Sequence, residues 1–210
     1  MAYVIDTSDR RRRRAFRAAA PLAALLVAAL LVWQGSNAAF SAITDNTANA
    51  WTTGSLTLTN NGGGTTYAAS TTGIFAETNL KPGDTGAKCI TVHSGGTLPG
   101  SLRIYRGAVT GTNSAALAAV LDVSVDAVVV GAATNVQANC TGYTGGTSGA
   151  VYTGTLNGMS TTYAGAAGTS VALTGGAERV VYRIGWTVNS SAGNSVQSSS
   201  AQADLVWEVN

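Results

Sequence analysis

Histidine and cysteine are scarce in this 210-residue chain, and each shortage argues against a class of site. His93 is the only histidine, so one chain cannot supply the two-histidine zinc site of a metalloprotease, and a Ser-His-Asp triad would depend on this single residue. Cys89 and Cys140 are the only cysteines and have no CxxC spacing, which argues against a zinc site. The sequence therefore predicts no catalytic residue, no metal site, no cofactor and no enzymatic activity.

Two weaker patterns could still carry chemistry. Asp122 and Asp126 are expected on one face of a strand, but no ligand-dense loop accompanies them, so we interpret them as solvated carboxylates rather than as calcium ligands. Trp51, Trp186 and Trp207 would suit a sugar-stacking platform, although large aromatic side chains in a β-sandwich belong more often to its core. Both interpretations of the tryptophans stay open at this point.

The first 38 residues have the layout of an export signal. An arginine block at residues 10–14, followed by Arg17, precedes an apolar run at 18–32, and small residues then lead to Ala38 and Ala39, between which we place the cleavage. The apolar run is shorter than the roughly 20 residues of a spanning helix. An uncleaved anchor is the alternative, and Arg13-Arg14-Ala15-Phe16 also resembles a twin-arginine signal, so the export route stays open.

Removing this leader changes the apparent charge of the protein. The leader carries six of the 12 basic residues and two of the 10 acidic ones, which leaves 172 residues with a formal charge of −2. The basic character thus belongs to the signal, and nothing in the remainder indicates nucleic-acid binding. The remainder has the length of one domain, with residues 39–53 as an N-terminal segment and 54–210 as the folded part.

Short β-prone segments separated by loops rich in Gly, Thr, Ser and Asn predict an all-β fold. We expect a jelly-roll-like sandwich of two sheets that contains one short helix at 114–121. An N-terminal signal helix is expected to precede the sandwich. The predicted strands cover residues 55–59, 87–93, 101–106, 122–130, 150–156, 170–174, 178–188 and 201–209.

The two cysteines are expected to form a disulfide, because both lie in the exported part and a lone pair outside the cytoplasm is usually bridged. On the chain-entropy model, a loop of this length gives about 4 kcal/mol of stability. Two separate buried thiols are the alternative.

Several short motifs occur in the order known from one family. Ala38-Ala39-Phe40-Ser41 is followed by a segment that contains Gly54, Leu56 and Leu58, and then by Asn79-Leu80-Lys81-Pro82-Gly83-Asp84 ahead of a predicted strand. Together with the closing segment that begins at Asn194, these motifs resemble the TasA and camelysin group of exported Gram-positive proteins. The two cysteines and the Gly- and Thr-rich region 141–168 depart from that group's pattern.

The resemblance implies a jelly-roll subunit of an extracellular biofilm-matrix fibre, processed by a SipW-type signal peptidase and found in the matrix or on the cell wall. It also implies self-association in which each subunit donates an N-terminal strand to the next. On this chain the donor segment would contain Ala39, Phe40, Ile43 and Trp51, and it has no proline to prevent ladder pairing. The alternatives are that the segment completes its own sheet or forms a loose leader.

Three functions are considered for the whole protein from its sequence. The first is a fibre subunit, with a matrix or cell-wall component as a further partner. The second is a monomeric surface-binding or adhesion module. The third is a camelysin-like metalloprotease, against which the histidine count argues.

Overall fold

Two antiparallel β-sheets are stacked in this protein, as seen in a computed structural model that describes residues 42–45, 56–145, 150–166 and 170–210. Of residues 42–45 it describes the backbone. The predicted signal segment, the cleavage junction and most of the predicted donor segment lie outside these ranges. All described residues belong to one compact unit, Ser41–Asn210.

Nine strands and one α-helix occur in the described ranges. In chain order these elements are β1 (Ala42–Asp45), β2 (Leu58–Asn60), β3 (Thr85–Ser94), β4 (Gly100–Arg106), α1 (Ser114–Val120), β5 (Leu121–Val130), β6 (Ala150–Thr155), β7 (Val171–Leu173), β8 (Glu178–Val188) and β9 (Leu205–Val209). Short 3-10 turns follow at Leu156–Gly158 and Asn194–Val196.

The strand order confirms the predicted jelly-roll-like sandwich. One sheet has the order β1-β9-β4-β7, and the other has the order β2-β3-β8-β5-β6. The antiparallel pairs are nested, since β1 pairs with β9, β3 with β8, β4 with β7 and β5 with β6. The chain is thus a long hairpin wound over two sheets, which is the jelly-roll arrangement, and β2 is an additional edge strand.

The core lies between the sheets and follows the period-2 pattern of the strands. Leu102 and Ile104 of β4 are buried, whereas Arg103 and Tyr105 between them are half-buried, as their alternation predicts. Tyr182 of β8 and Trp207 of β9 are the largest fully buried side chains of the core. The core interpretation is therefore correct for Trp207.

Seven of the eight predicted strands differ from the observed ones by one to four residues at an end, and two of these differences have a clear structural cause. Strand β3 begins at Thr85, two residues before its predicted start, because Thr85 and Gly86 pair with the end of β8. Strand β9 begins at Leu205 instead of residue 201, because Gln202 forms an isolated bridge with Thr110 and leaves the regular ladder. The polar residues before Leu205 thus contact the loop that contains Thr110 instead of extending β9.

The predicted short helix is present and ends at Val120, one residue before its predicted end. It begins after Asn113, which adopts a left-handed conformation at φ 50° and makes no side-chain cap bond to the helix. The Asn113 amide instead donates to the Ser195 carbonyl and to the Ser199 hydroxyl. Ala118 is the buried helical residue, and Leu121, the last residue of the predicted helix, is already the first residue of β5.

Candidate functional site: the β1–β9 edge

The edge formed by β1 and β9 is where the predicted donor segment meets the folded domain. Strand β1 is the outermost strand of its sheet, and its register places Ala42 opposite Val209 and Thr44 opposite Trp207. Val209 and Trp207 are both fully buried. Without β1, the backbone N–H and C=O groups along one side of β9 would have no strand partner beside these core residues, and unpaired edges of this kind recruit other strands.

Strand β9 is held firmly on its other side. It pairs with β4 over five residues, from Leu102 opposite Val209 to Arg106 opposite Leu205. The Tyr105 hydroxyl of β4 donates a hydrogen bond of 2.9 Å to Glu208 Oε2. The β9 edge is therefore a fixed template, whichever strand occupies the position of β1.

Of the four predicted donor residues, the structure describes one. Ile43 lies in β1 opposite Glu208, whereas Ala39, Phe40 and Trp51, together with the cleavage residue Ala38, lie outside the described residues. Within a single chain β1 completes its own sheet, as the alternative interpretation of this segment expects. Donation of the strand to a neighbouring subunit stays a prediction.

Two leucines of the motif at residues 54–58 are core residues of the described domain. Leu56 and Leu58 are both buried and belong to the main hydrophobic cluster. Leu58 also opens β2, which pairs with the end of β3 at Ser94. Gly54 lies outside the described residues.

The Leu80-Lys81-Pro82-Gly83-Asp84 segment forms a tight turn at the entry to β3. The Lys81 N–H donates to Asp84 Oδ2 at 2.8 Å, and the Asp84 N–H donates to the Lys81 carbonyl at 3.0 Å. Gly83 has φ 90°, a conformation that favours glycine, and its N–H donates to the Val188 carbonyl. The motif residues thus start the β3–β8 ladder, and Leu80 is exposed at the tip of the turn.

Cys89 and Cys140 form the predicted disulfide, with their Cα atoms 5.0 Å apart. Cys89 lies on the outer face of β3 and is fully buried, because residues 131–145 fold over this part of the sheet. Val136 of this loop packs with Val128 and Val181 of the sheet in a second small apolar cluster. The bridge fastens the loop to the face that it covers.

His93, the residue on which a catalytic triad would depend, is packed against an aromatic ring. Its imidazole makes a T-shaped contact with the Tyr67 ring, with centroids 5.9 Å apart, and the guanidinium of its register partner Arg179 also lies over the Tyr67 ring, 4.7 Å from the centroid. Burial, and to a smaller extent the Arg179 charge, lowers the pKa of His93. A hydroxyl nucleophile would need a hydrogen bond to the imidazole, and none occurs among the described residues.

The remaining candidates for chemistry are not brought together. Asp122 and Asp126 lie four positions apart along β5, and Asp122 accepts a hydrogen bond from Asn189. Throughout the described ranges, no three His, Cys, Asp or Glu side chains gather as metal ligands. Trp207 is in the core and Trp186 is half-buried on β8, so these two tryptophans do not form an exposed platform.

A buried polar centre at Asn61 was not predicted from the sequence. The Asn61 amide nitrogen donates to the Val136 carbonyl, to the Gly64 carbonyl and to Asn135 Oδ1, and its oxygen accepts from the N–H groups of Thr91 and Gly63. This one side chain joins three separate chain segments. The only sequence signal was the Asn-Asn-Gly run at the end of a β-prone segment.

No family model, curated protein or solved structure matches this chain. Among the residues that the structure describes, no helix is both long enough and apolar enough to cross a membrane.

Proposed function

We propose that this protein is an exported structural subunit of an extracellular matrix or surface fibre, assembled by donation of the N-terminal strand. The observation that carries the proposal is the position of β1. It is a four-residue edge strand that pairs with β9, whose Trp207 and Val209 side chains are fully buried. Residues 46–57 separate it from β2. A short strand on such a connection can be exchanged between copies while its pairing is kept.

Exchange of β1 between subunits would preserve the ladder. A donated β1 would pair with β9 of the next subunit in the same register, Ala42 opposite Val209 through Asp45 opposite Val206, so no backbone hydrogen bond is lost in the exchange. Each subunit would then accept one strand and donate one, which is a head-to-tail contact. Contacts of this type propagate into a filament when they do not close into a ring.

The processing of the chain and its low charge are consistent with this assembly. Cleavage between Ala38 and Ala39 would release the segment from the membrane side, so a SipW-type signal peptidase is the expected partner during export. Charged residues make up 10% of the chain, so electrostatic repulsion between neighbouring subunits would be weak. The expected location is the extracellular matrix or the cell wall.

The experiment compares two purified proteins, one beginning at Ala39 and one beginning at Gly54, by electron microscopy and size-exclusion chromatography. We expect filaments from the first and only monomers from the second. Because loss of β1 could unfold the shorter protein, a synthetic peptide of residues 39–53 is added to it as a second measurement. The peptide should bind with one-to-one stoichiometry and restore the stability of the domain. Filaments from both proteins, or from neither, would refute strand donation.

A further inference from the structure

The outer face of the five-stranded sheet is covered over one half and open over the other. Residues 131–145, fastened by the disulfide, cover the half that contains Cys89 and Val181. The other half forms a groove of about 350 Å³ that crosses β3, β8 and β5. The residues that line it include Thr85, Ala87, Ser124, Arg183, Gly185 and Thr187.

The floor of the groove is backbone rather than side chain. Gly185 lies in the middle of the groove and is buried, and a Cβ atom added there would lie 2.7 Å from Ser124 Oγ. Glycine at this position therefore makes room for the serine hydroxyl to lie over the strand. The glycine and Ala87 leave a shallow polar trough where larger residues would fill the face.

Four polar side chains border the trough, and one of them, Arg183, interacts electrostatically with Tyr143 of the covering loop. Thr85, Ser124, Arg183 and Thr187 make no side-chain hydrogen bond to any other described residue. Elsewhere in the same ranges, comparable hydroxyls are used internally, as Thr91 Oγ1 donates to the Val136 carbonyl and Thr71 Oγ1 donates to Asn60 Oδ1. Three hydroxyls and one guanidinium thus line one groove, where they can form hydrogen bonds with a ligand.

The local charge favours a neutral ligand. Arg183 brings one positive charge, but its register partner on β5 is Asp126, and Asp122 is the register partner of Thr187. An anion such as phosphate would meet these two carboxylates, and a cation would meet Arg183. Hydroxyl, guanidinium and carboxylate groups side by side are suited to the alternating donors and acceptors of sugar hydroxyls.

The size of the trough argues against a protein partner. Three neighbouring strands span roughly 10 Å, and two residues along a strand span roughly 7 Å, so the trough covers on the order of 100 Å². A stable protein interface buries about 800 Å² on each partner. The trough is shallow and open, with a volume of about 350 Å³, so it can contact only a small part of a ligand.

We infer that this trough binds one or two residues of a neutral, hydroxyl-rich saccharide, with Arg183 and the Ser124 and Thr187 hydroxyls as the hydrogen-bonding groups. This inference does not rest on strand donation, since the trough is formed by β3, β8 and β5 and not by β1 or β9. It would give the protein a glycan partner on its surface whether it is a monomer or a fibre.

The test is isothermal titration of the protein beginning at Ala39 with neutral hexasaccharides, namely cellohexaose, laminarihexaose, mannohexaose and chitohexaose. Inorganic phosphate and an oligogalacturonate serve as the anionic comparisons. Affinity is calculated per subunit, so assembly does not enter the result. At least one neutral hexasaccharide should bind with a Kd of about 1 mM or lower, and more tightly than either anion.

The variants Arg183→Gln and Thr187→Val should each weaken that binding about tenfold or more, because each removes donors at the trough. The matched control is Thr153→Val, which changes a threonine opposite Ser124 on the same sheet face but outside the trough. Near-ultraviolet circular dichroism checks that each variant is folded. The inference is overturned if no neutral hexasaccharide binds, if the anions bind more tightly, or if Thr153→Val weakens binding as much as the trough variants do.

Discussion

Tyr182 and Trp207 pack edge to face across the sandwich, with their ring centroids 5.8 Å apart and their planes at 61°. Tyr182 belongs to β8 of the five-stranded sheet and Trp207 to β9 of the four-stranded sheet, so this pair joins the two layers. Both rings are fully buried. Trp207 also lies opposite Thr44 of β1, so the centre of the core is next to the proposed assembly edge.

This pair leads to a contrast between two substitutions. Trp207→Ala should lower the free energy of unfolding by about 3–5 kcal/mol, because it leaves a large cavity between the sheets. Tyr182→Phe should leave stability unchanged or raise it, since the buried Tyr182 hydroxyl has no hydrogen-bond partner among the described residues. Urea unfolding of both variants measures the difference. A marked loss of stability in Tyr182→Phe would show that its hydroxyl does have a partner.

The presence of the strands and the buried face of β4 could be predicted from the sequence, because a period of two and turn-forming loops are local signals. The covered outer face could not. Val181 reads as a solvent-facing residue by its alternation with Tyr182, yet it is fully buried beneath residues 131–145. That loop is placed by contacts between distant segments, such as Asn61 with Thr91 and Val136, and no local pattern shows them.

The disulfide could be predicted for a different reason. Two cysteines allow only one intramolecular pairing, so the expectation of export was enough to predict that they are bridged. The β1–β9 register and the trough around Gly185 could not be anticipated, because both depend on which strands become neighbours in space. In the trough the sequence shows only scattered Thr, Ser and Gly residues, as it does in many loops of this chain.

Loss of the disulfide should be costly but should not abolish the fold. The double variant Cys89→Ala/Cys140→Ala removes a link between residues 51 positions apart, for which we expect a loss of about 4 kcal/mol. The loop would keep its hydrogen bonds between Val136 and Thr91, so a cooperative transition should remain. Urea unfolding measures the loss, with the wild-type protein in reductant as the control. A change below about 1 kcal/mol would contradict the chain-entropy account.

Stability should fall as the pH decreases through the histidine range. Burial lowers the pKa of His93, so the unfolded chain takes up a proton near its ordinary pKa of about 6.5 before the folded protein does. The stability that depends on neutral His93 is therefore present above about pH 6.5 and is lost as the pH falls through the lower folded-state pKa. The variant His93→Gln should have a smaller pH dependence between these values in urea unfolding. An equal dependence in both proteins would assign the effect to carboxylates.

The β1–β9 register allows strand donation to be switched off with a chemical bond. Ile43 lies opposite Glu208, and directly opposed residues of antiparallel strands are close enough for a disulfide. In the variant Ile43→Cys/Glu208→Cys, an oxidised bridge within one chain would hold β1 on its own domain. We therefore expect oxidised monomers that form no filaments, and filaments at the wild-type rate after the added bridge is selectively reduced. Electron microscopy and non-reducing mass analysis follow the two states.

The single variant Glu208→Cys provides the control for this experiment, since it changes the same strand without permitting the intrachain bridge. It should form filaments under oxidising and reducing conditions alike. If subunits are instead oxidised after they have assembled, the new bridge should join neighbouring chains, because each β9 then pairs with the β1 of another subunit. Filaments grown from monomers whose intrachain bridge is intact would show that β1 never leaves its own sheet, and assembly would then have to use another surface.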